Sequence, residues 1–412
     1  MPSEEISPAD RPAKARNERI LLALVIAVSM IAVALFAAVT TEGRAPDERL
    51  YYHDIQELAR TGALSSSTGH PQLYSAVSLP AYFLGRTDAG RQELIRLLGV
   101  LFMAGTVYAT YKTSSELFGA GSLARWAPPL LVALLPQFAF IAGSVNSDGL
   151  LAMLAATFFY LCVRVMRRPA GPLALVALGA VSVLGVLTKQ RFLVLLPVLL
   201  PVLAVAAHVR FAKAGSPRSR RIALWGSAAG GAVLVLVLGV LAVKVIPTVF
   251  PAGALASWRH LARVVNRSFL VDLFAMTWGH FDWLVLPMSL SAYAVFAALS
   301  ALAVLGIAIA VIRRFARRGR KALWDRTAAV WLVVVAAMLL TFGSVIQYRL
   351  AGFWPQGRYL FIALVPFALF VGRGLDEIVP RAISKAAFRV LTLTLAAIVF
   401  AQIVFVLVPY YY

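Results

Sequence analysis

Long apolar stretches alternate with short polar ones along the whole chain. Apolar runs lie near 20–40, 93–111, 123–142, 148–166, 172–188, 191–208, 223–246, 288–312, 328–346, 358–375 and 389–409. Most are close to the ~20 residues that cross a ~30 Å hydrocarbon core at 1.5 Å per residue. They are continuous and rich in Leu, Ala and Val, whereas barrel strands alternate over ~10 residues. The pattern predicts an all-α polytopic membrane protein with eleven transmembrane helices. Very short turns join the third span to the fourth at "SVNSDG" and the fifth to the sixth at "LTKQRF".

Two stretches between spans are long, 41–92 and 247–287. In the first, "DERLYYHDIQELAR" places Leu50, Tyr51, Ile55 and Leu58 on one helical face. Pro46 and Asp47 supply its start signal. "HPQLYSAVSLPAYFLGR", 70–86, predicts a second apolar helix. Both suit a membrane interface. The domain reading is a basic tail over 1–19, one transmembrane domain over 20–409 and a short tail over 410–412.

Composition agrees with the pattern: 61% of the 412 residues are hydrophobic and only 14% are charged. The net charge of +21 comes from 39 Lys and Arg against 18 Asp and Glu. Most of those cations fall in short segments such as "RPAKARNER", "RVMRRPAG", "VRFAKAGSPRSRR" and "RRFARRGRKALWDR". The positive-inside rule then puts the amino terminus in the cytoplasm and both long loops outside the inner or plasma membrane. The "VPYYY" end falls outside too, where tyrosines suit an interfacial belt. Anionic lipids of the inner leaflet explain the basic loops, so no nucleic-acid partner is implied. The first run is longer than a signal-peptide core and lacks a good cleavage site, which predicts an uncleaved first helix. Cys162 is the only cysteine, so no internal disulfide forms, and no Cys/His metal cluster is visible. No internal repeat of the inverted-transporter kind is evident.

The scarce acids gather after the first span, in "TTEGRAPDERLYYHDIQELARTG". Further polar residues stand at the same ends of later spans: Asn146 and Asp148, Lys189 and Arg191, Arg358 and Tyr359, and Trp278 with His280 in a loop. Ionisable groups at such depth cost a few kcal/mol each unless paired or wetted. Grouped around one outward cavity, Asp47, Asp148, Lys189, Arg191 and Arg358 would compensate one another and bind an anionic ligand. Each also has a plainer reading. Asp148 suits a helix cap, Lys189, Arg191 and Arg358 suit interfacial anchors, and His53, His70 and His280 suit solvated loops.

The ordered set "PDERLYYHDIQELARTG", "HPQLY", "NSD" and "PQGRYLF" resembles the GT-C superfamily of membrane glycosyltransferases. With "TWGHFDWLVLP" and "WPQGRYLFIALVP", the chain looks most like bacterial membrane proteins catalogued as domain of unknown function 2142, over roughly 20–375. The resemblance implies a polyprenyl-phosphate-linked sugar as donor and a glycan, lipid or protein acceptor. It implies Asp47 as catalytic base or metal ligand, with Glu48 as the adjacent alternative. Asp148, with Asn146 and Asp54, falls to the acceptor or a metal. Arg358, then Lys189 and Arg191 with Tyr359, fall to the lipid phosphate. Candidate substrate contacts are Tyr52, His53, His70, Tyr74, Trp278, His280 and Gln356. No cofactor is certain; a cation between Asp47 and Asp148 would be Mg²⁺, Mn²⁺ or Ca²⁺, given oxygen ligands.

One carboxylate with no covalent nucleophile suggests a single displacement with inversion. The rival readings are a transporter or flippase of a lipid-linked sugar, an outer-face glycan polymerase or ligase, and a non-catalytic assembly partner. A transporter predicts charges near the bilayer midplane, which these spans largely lack.

Overall fold

A computed structural model describes residues 10–64, 69–168, 171–213, 264–319 and 326–412. The predicted span 223–246 and the first part of the second long loop lie outside the described residues. Helices dominate: α1 (Asp10–Val39), α2 (Glu48–Thr61), α3 (Leu73–Leu84), α4 (Asp88–Leu117), α5 (Leu123–Ala133), α6 (Pro136–Ala142) and α7 (Asp148–Arg167). Then follow α8 (Pro172–Thr188), α9 (Leu199–Lys213), α10 (Arg267–Trp278), α11 (Leu290–Arg318), α12 (Arg326–Leu350), α13 (Leu364–Ile378) and α14 (Ser384–Gln402). A two-residue hairpin pairs His280–Phe281 with Leu286–Pro287.

Among the described residues, eight helices are long and apolar enough to cross a membrane, or nine if the bent pair α5–α6 is one span. The 17-residue α8 is shorter. The α5–α6 pair bends by 49°. Pro136 explains the break, because it opens α6 and cannot donate to a carbonyl one turn earlier. Two further spans open irregularly, with 3₁₀ turns at Gln190–Val198 before α9 and Gly357–Ala363 before α13.

The first long loop folds as expected into α2 and α3. Tyr51, Ile55 and Leu58 are buried, but Leu50 is exposed. The expectation of a shared face therefore fails for Leu50, which lies at the edge of that stripe beside the exposed Arg49. α4 packs on α1, α5 and α7, and α13 packs on α5 and α11. Small residues permit the tightest approaches, as in helix packing within lipid. A Cβ on Gly306 would lie 1.9 Å from the Gly374 carbonyl oxygen. A Cβ on Gly99 would lie 1.6 Å from the Ala142 carbonyl oxygen. Gly99→Ala is therefore expected to push α4 from α6 and to cost about 1–3 kcal/mol or more, read as a lower melting temperature in detergent.

Candidate active site

Asp47 sits at the start of α2 in the left-handed region, φ 62° and ψ 4°. Few residues other than Gly adopt that conformation, Asp and Asn most readily. The Asn146 side chain donates to the Pro46 carbonyl at 2.8 Å, and its own carbonyl oxygen accepts from the Asp148 backbone N–H at 2.9 Å. This one amide thus clasps the Asp47 turn to the first residue of α7, with 100 positions between Pro46 and Asn146.

Between the two carboxylates lies the guanidinium of Arg358. It donates from one nitrogen to Asp47 and from another to Asp148 at 3.2 Å. Its Nε donates to Gln356 at 2.6 Å. The other Asp148 oxygen accepts from Lys189 at 2.5 Å. Arg358 and Asp148 are buried, whereas the Asp47 side chain keeps 26% of its exposure and Lys189 keeps 18%. The cluster therefore opens to solvent at Asp47 and Lys189.

Arg191 completes the set in a different manner. Its guanidinium stacks on Tyr359, 3.3 Å from the ring centroid, and lies 5.5 Å from that of Tyr348. One terminal nitrogen is buried and has no hydrogen-bond partner among the described residues. Three cations, Arg358, Lys189 and Arg191, thus face two carboxylates, Asp47 and Asp148. The local balance favours one added anion.

Several expected residues do other work. Glu48 is fully buried and forms a two-point pair with Arg96, 2.8 Å at each oxygen. It also accepts the Gly43 and Val145 backbone N–H groups at 2.8 and 3.0 Å. Both its oxygens are engaged, so the expectation of Glu48 as a substitute base is corrected. Trp278 is a core residue, stacked on Phe296 at 4.2 Å, not a substrate contact. The Tyr52 hydroxyl faces Asp88, and burial together with that carboxylate pushes it up to about 12. His53 is exposed, and neither it nor Tyr52 joins the cluster. Tyr74 is buried edge-on against Tyr51. His280 is a hairpin residue whose ring is half-buried, and burial lowers its pKa.

Asp54 is buried and meets His70 at 3.1 Å, beside the cluster and not in it. His70 stacks on Tyr51 with centroids 4.7 Å apart, and the far side of that chain reaches Lys189, 5.8 Å from the Tyr51 ring. Tyr51 and Ser147 are the neighbours that sequence reasoning missed as site residues; the Ser147 hydroxyl donates to Tyr51 at 2.7 Å. Tyr51 lies one helical turn after Asp47, which was the available signal.

A divalent cation between Asp47 and Asp148 does not fit this donor set. Arg358 already spans that gap, and Lys189 holds the remaining Asp148 oxygen. Among the described residues no group of three or more His, Cys, Asp and Glu side chains gathers for a metal.

No family model matches the chain, and no curated protein matches it. Solved structures do. The chain is similar to the oligosaccharyltransferase AglB of Archaeoglobus fulgidus in complex with an inhibitory peptide and a dolichol-phosphate, with TM-score 0.52 and 13% identity. The apo form of the Archaeoglobus fulgidus enzyme matches with TM-score 0.53 and 14% identity over 95% of this chain. ArnT of Cupriavidus metallidurans bound to undecaprenyl phosphate matches with TM-score 0.52 and 14% identity, over 96% of this chain and 74% of that one. The chain spans about half the length of the archaeal enzyme, 55%, while 94% of it is matched. At these identities the likeness is one of fold: the described residues form a predominantly helical, GT-C-like membrane fold.

Proposed function

We propose that the chain is a membrane glycosyltransferase. It moves a hexosyl or pentosyl group from a polyprenyl-phosphate donor to a glycan, lipid or protein acceptor on the outer face of the membrane. The observation that carries this reading is the charge imbalance of the cluster: two carboxylates hold Arg358 and Lys189, and Arg191 is left with an unmatched buried nitrogen. A phosphate ester, the diester of the bound donor and the monoester of the leaving group, is the anion that fits a half-buried guanidinium backed by an aromatic ring. The fold shared with proteins bound to dolichol-phosphate and undecaprenyl phosphate supports the same ligand class. Exposed Leu187 and Trp354, on the segments that carry Lys189 and Arg358, suit the polyprenyl tail. The narrower kinship with domain of unknown function 2142 rests on "TWGHFDWLVLP" and "WPQGRYLFIALVP" alone.

In the proposed reaction the acceptor hydroxyl attacks the anomeric carbon. The carbon–oxygen bond to the lipid phosphate breaks, the hydroxyl proton passes to Asp47, and the polyprenyl phosphate leaves with its electron pair. Asp47 is the solvent-facing carboxylate of the cluster, which suits a general base. Arg191 and Lys189 face the phosphate as it gains charge, favouring the transition state over the bound donor. A single displacement of this kind inverts the anomeric centre.

The test is transfer from a synthetic polyprenyl-phosphate sugar in detergent solution, where a transporter would form no product. Asp47→Asn is expected to lower turnover by about 10²–10⁴-fold. Arg191→Gln is expected to raise the donor KM with little change in melting temperature. Full turnover by Asp47→Asn would remove Asp47 as the base.

A further inference from the structure

On the face opposite the charge cluster lies a second feature that the transfer reading does not use. Three segments define that face, because each carries the cluster at one end. α7 begins at Asp148 and ends at Arg167; α12 begins at Arg326 and ends near Tyr348; the span holding Arg358 runs on to Arg373. A 20-residue helix is about 30 Å long, so the two ends lie a bilayer core apart. There the ends of α4, α7, α9, α11, α12 and α13 enclose a groove of about 1220 Å³. Aliphatic side chains of Ile307, Val311, Leu332 and Val335 line it. Its described lining holds four arginines, Arg167, Arg314, Arg326 and Arg373, and no Asp or Glu.

Some of that positive charge is balanced just outside the groove. Arg373 pairs with Glu377 at 2.5 Å and with Asp376 at 3.7 Å. Arg167 and Arg326 are exposed at the rim. Trp331, one turn into α12 from Arg326, packs near Phe118 at 6.4 Å. An aromatic pair at the level of the arginines marks the depth of lipid headgroups. Below it the lining becomes aliphatic, as acyl chains require.

We infer that this groove is a binding site for an anionic phospholipid of the surrounding leaflet. Its phosphate sits on Arg167 and Arg326, and its acyl chains lie along Val311, Leu332 and Val335. Charge complementarity selects the occupant: four arginines with no carboxylate among the described lining residues favour a net-negative head over a zwitterionic one, at about 1 kcal/mol per basic residue near the surface. Basic grooves between spans are suited to such heads. The site is independent of the transfer reading, since its test reads lipid and not product.

The experiment is native mass spectrometry of the purified full chain, titrated with phosphatidylglycerol, phosphatidylcholine or a polyprenyl monophosphate. Wild type is expected to retain phosphatidylglycerol over phosphatidylcholine. The double variant Arg167→Gln with Arg326→Gln is expected to bind it about 30-fold more weakly, the effect of two lost contacts. Val335→Trp fills the groove without touching charge and is expected to lower retention as well. Arg381→Gln with Lys385→Gln, exposed cations outside the groove, is expected to leave retention unchanged. Equal retention by wild type and the Arg167/Arg326 double variant would overturn the proposal. So would a preference for phosphatidylcholine, or tighter binding of the polyprenyl phosphate to the same residues.

Discussion

Arg358→Ala is expected to lower sugar transfer sharply and to destabilise the fold by about 3–5 kcal/mol. The side chain is 2% exposed and, among the described residues, is the only one that bonds both the Asp47 and the Asp148 carboxylates. Among the described residues, its loss leaves Asp148 buried in ion-pair contact with Lys189 only, and Asp47 with no cation in contact. Removing one member of a buried ionic set costs far more than the set itself contributes, because the partner's charge remains desolvated. On the chemistry, loss of one aligned charge at the reacting centre lowers turnover by about 10²–10³-fold. Arg358→Lys separates the two effects. A lysine reaches one carboxylate and not both, so partial stability should return while turnover stays low. Melting in detergent and transfer from a polyprenyl-phosphate sugar are the two readouts. An Arg358→Ala variant that melts like wild type would mean that the bridge does not hold the α2 turn to α7.

Eight of the eleven expected spans were legible in the sequence because length decides them, an apolar run of ~20 residues having few other fates. Of the rest, 123–142 became a bent pair, 172–188 formed only the shorter α8, and 223–246 lies outside the described residues. Proximity of Asp47, Asp148, Lys189 and Arg358 was legible for a related reason. Each stands at the same end of a span, so topology placed them on one face before any packing was known. What the periodicity could not reveal was which charges pair. Asp47 and Glu48 are adjacent, and both follow a membrane exit. Asp47 sits in the left-handed region just before α2 and Glu48 is the first helical residue, so the two side chains diverge: one reaches Arg358 and the other reaches Arg96. Arg96 itself reads as an ordinary interfacial cation on α4, and its partner lies 48 positions earlier. Trp278 misled by composition: an aromatic in a polar loop motif suggests a ligand contact, yet it packs between Phe296 and Phe367. Arg191 was visible only as one cation of several. Its distinctive property, a buried nitrogen without a partner, exists only once the neighbours are placed.

The Glu48–Arg96 pair gives the second large expectation. Arg96 donates to Glu48 through two nitrogens and to the carbonyls of Ala37, Thr40 and Thr41 at 3.1, 2.7 and 3.3 Å. It therefore ties α4 to the last turn of α1, while Glu48 gathers the Gly43 and Val145 N–H groups on the other side. Asp47 is held in its left-handed conformation by this frame, since Glu48 is the next residue. Glu48→Gln keeps the shape and removes the charge, leaving Arg96 buried against a neutral partner. It is expected to cost about 3–5 kcal/mol and to lower turnover indirectly. If Glu48 were a base, turnover would fall with stability unchanged. A double-mutant cycle decides between them: Glu48→Gln, Arg96→Gln and the pair together, each measured by melting in detergent. A direct ionic contact predicts that the double variant loses less than the sum of the singles, by about 1–3 kcal/mol. Strict additivity would mean that the two side chains stabilise the fold separately, and that the α1–α4 junction does not position Asp47 through them.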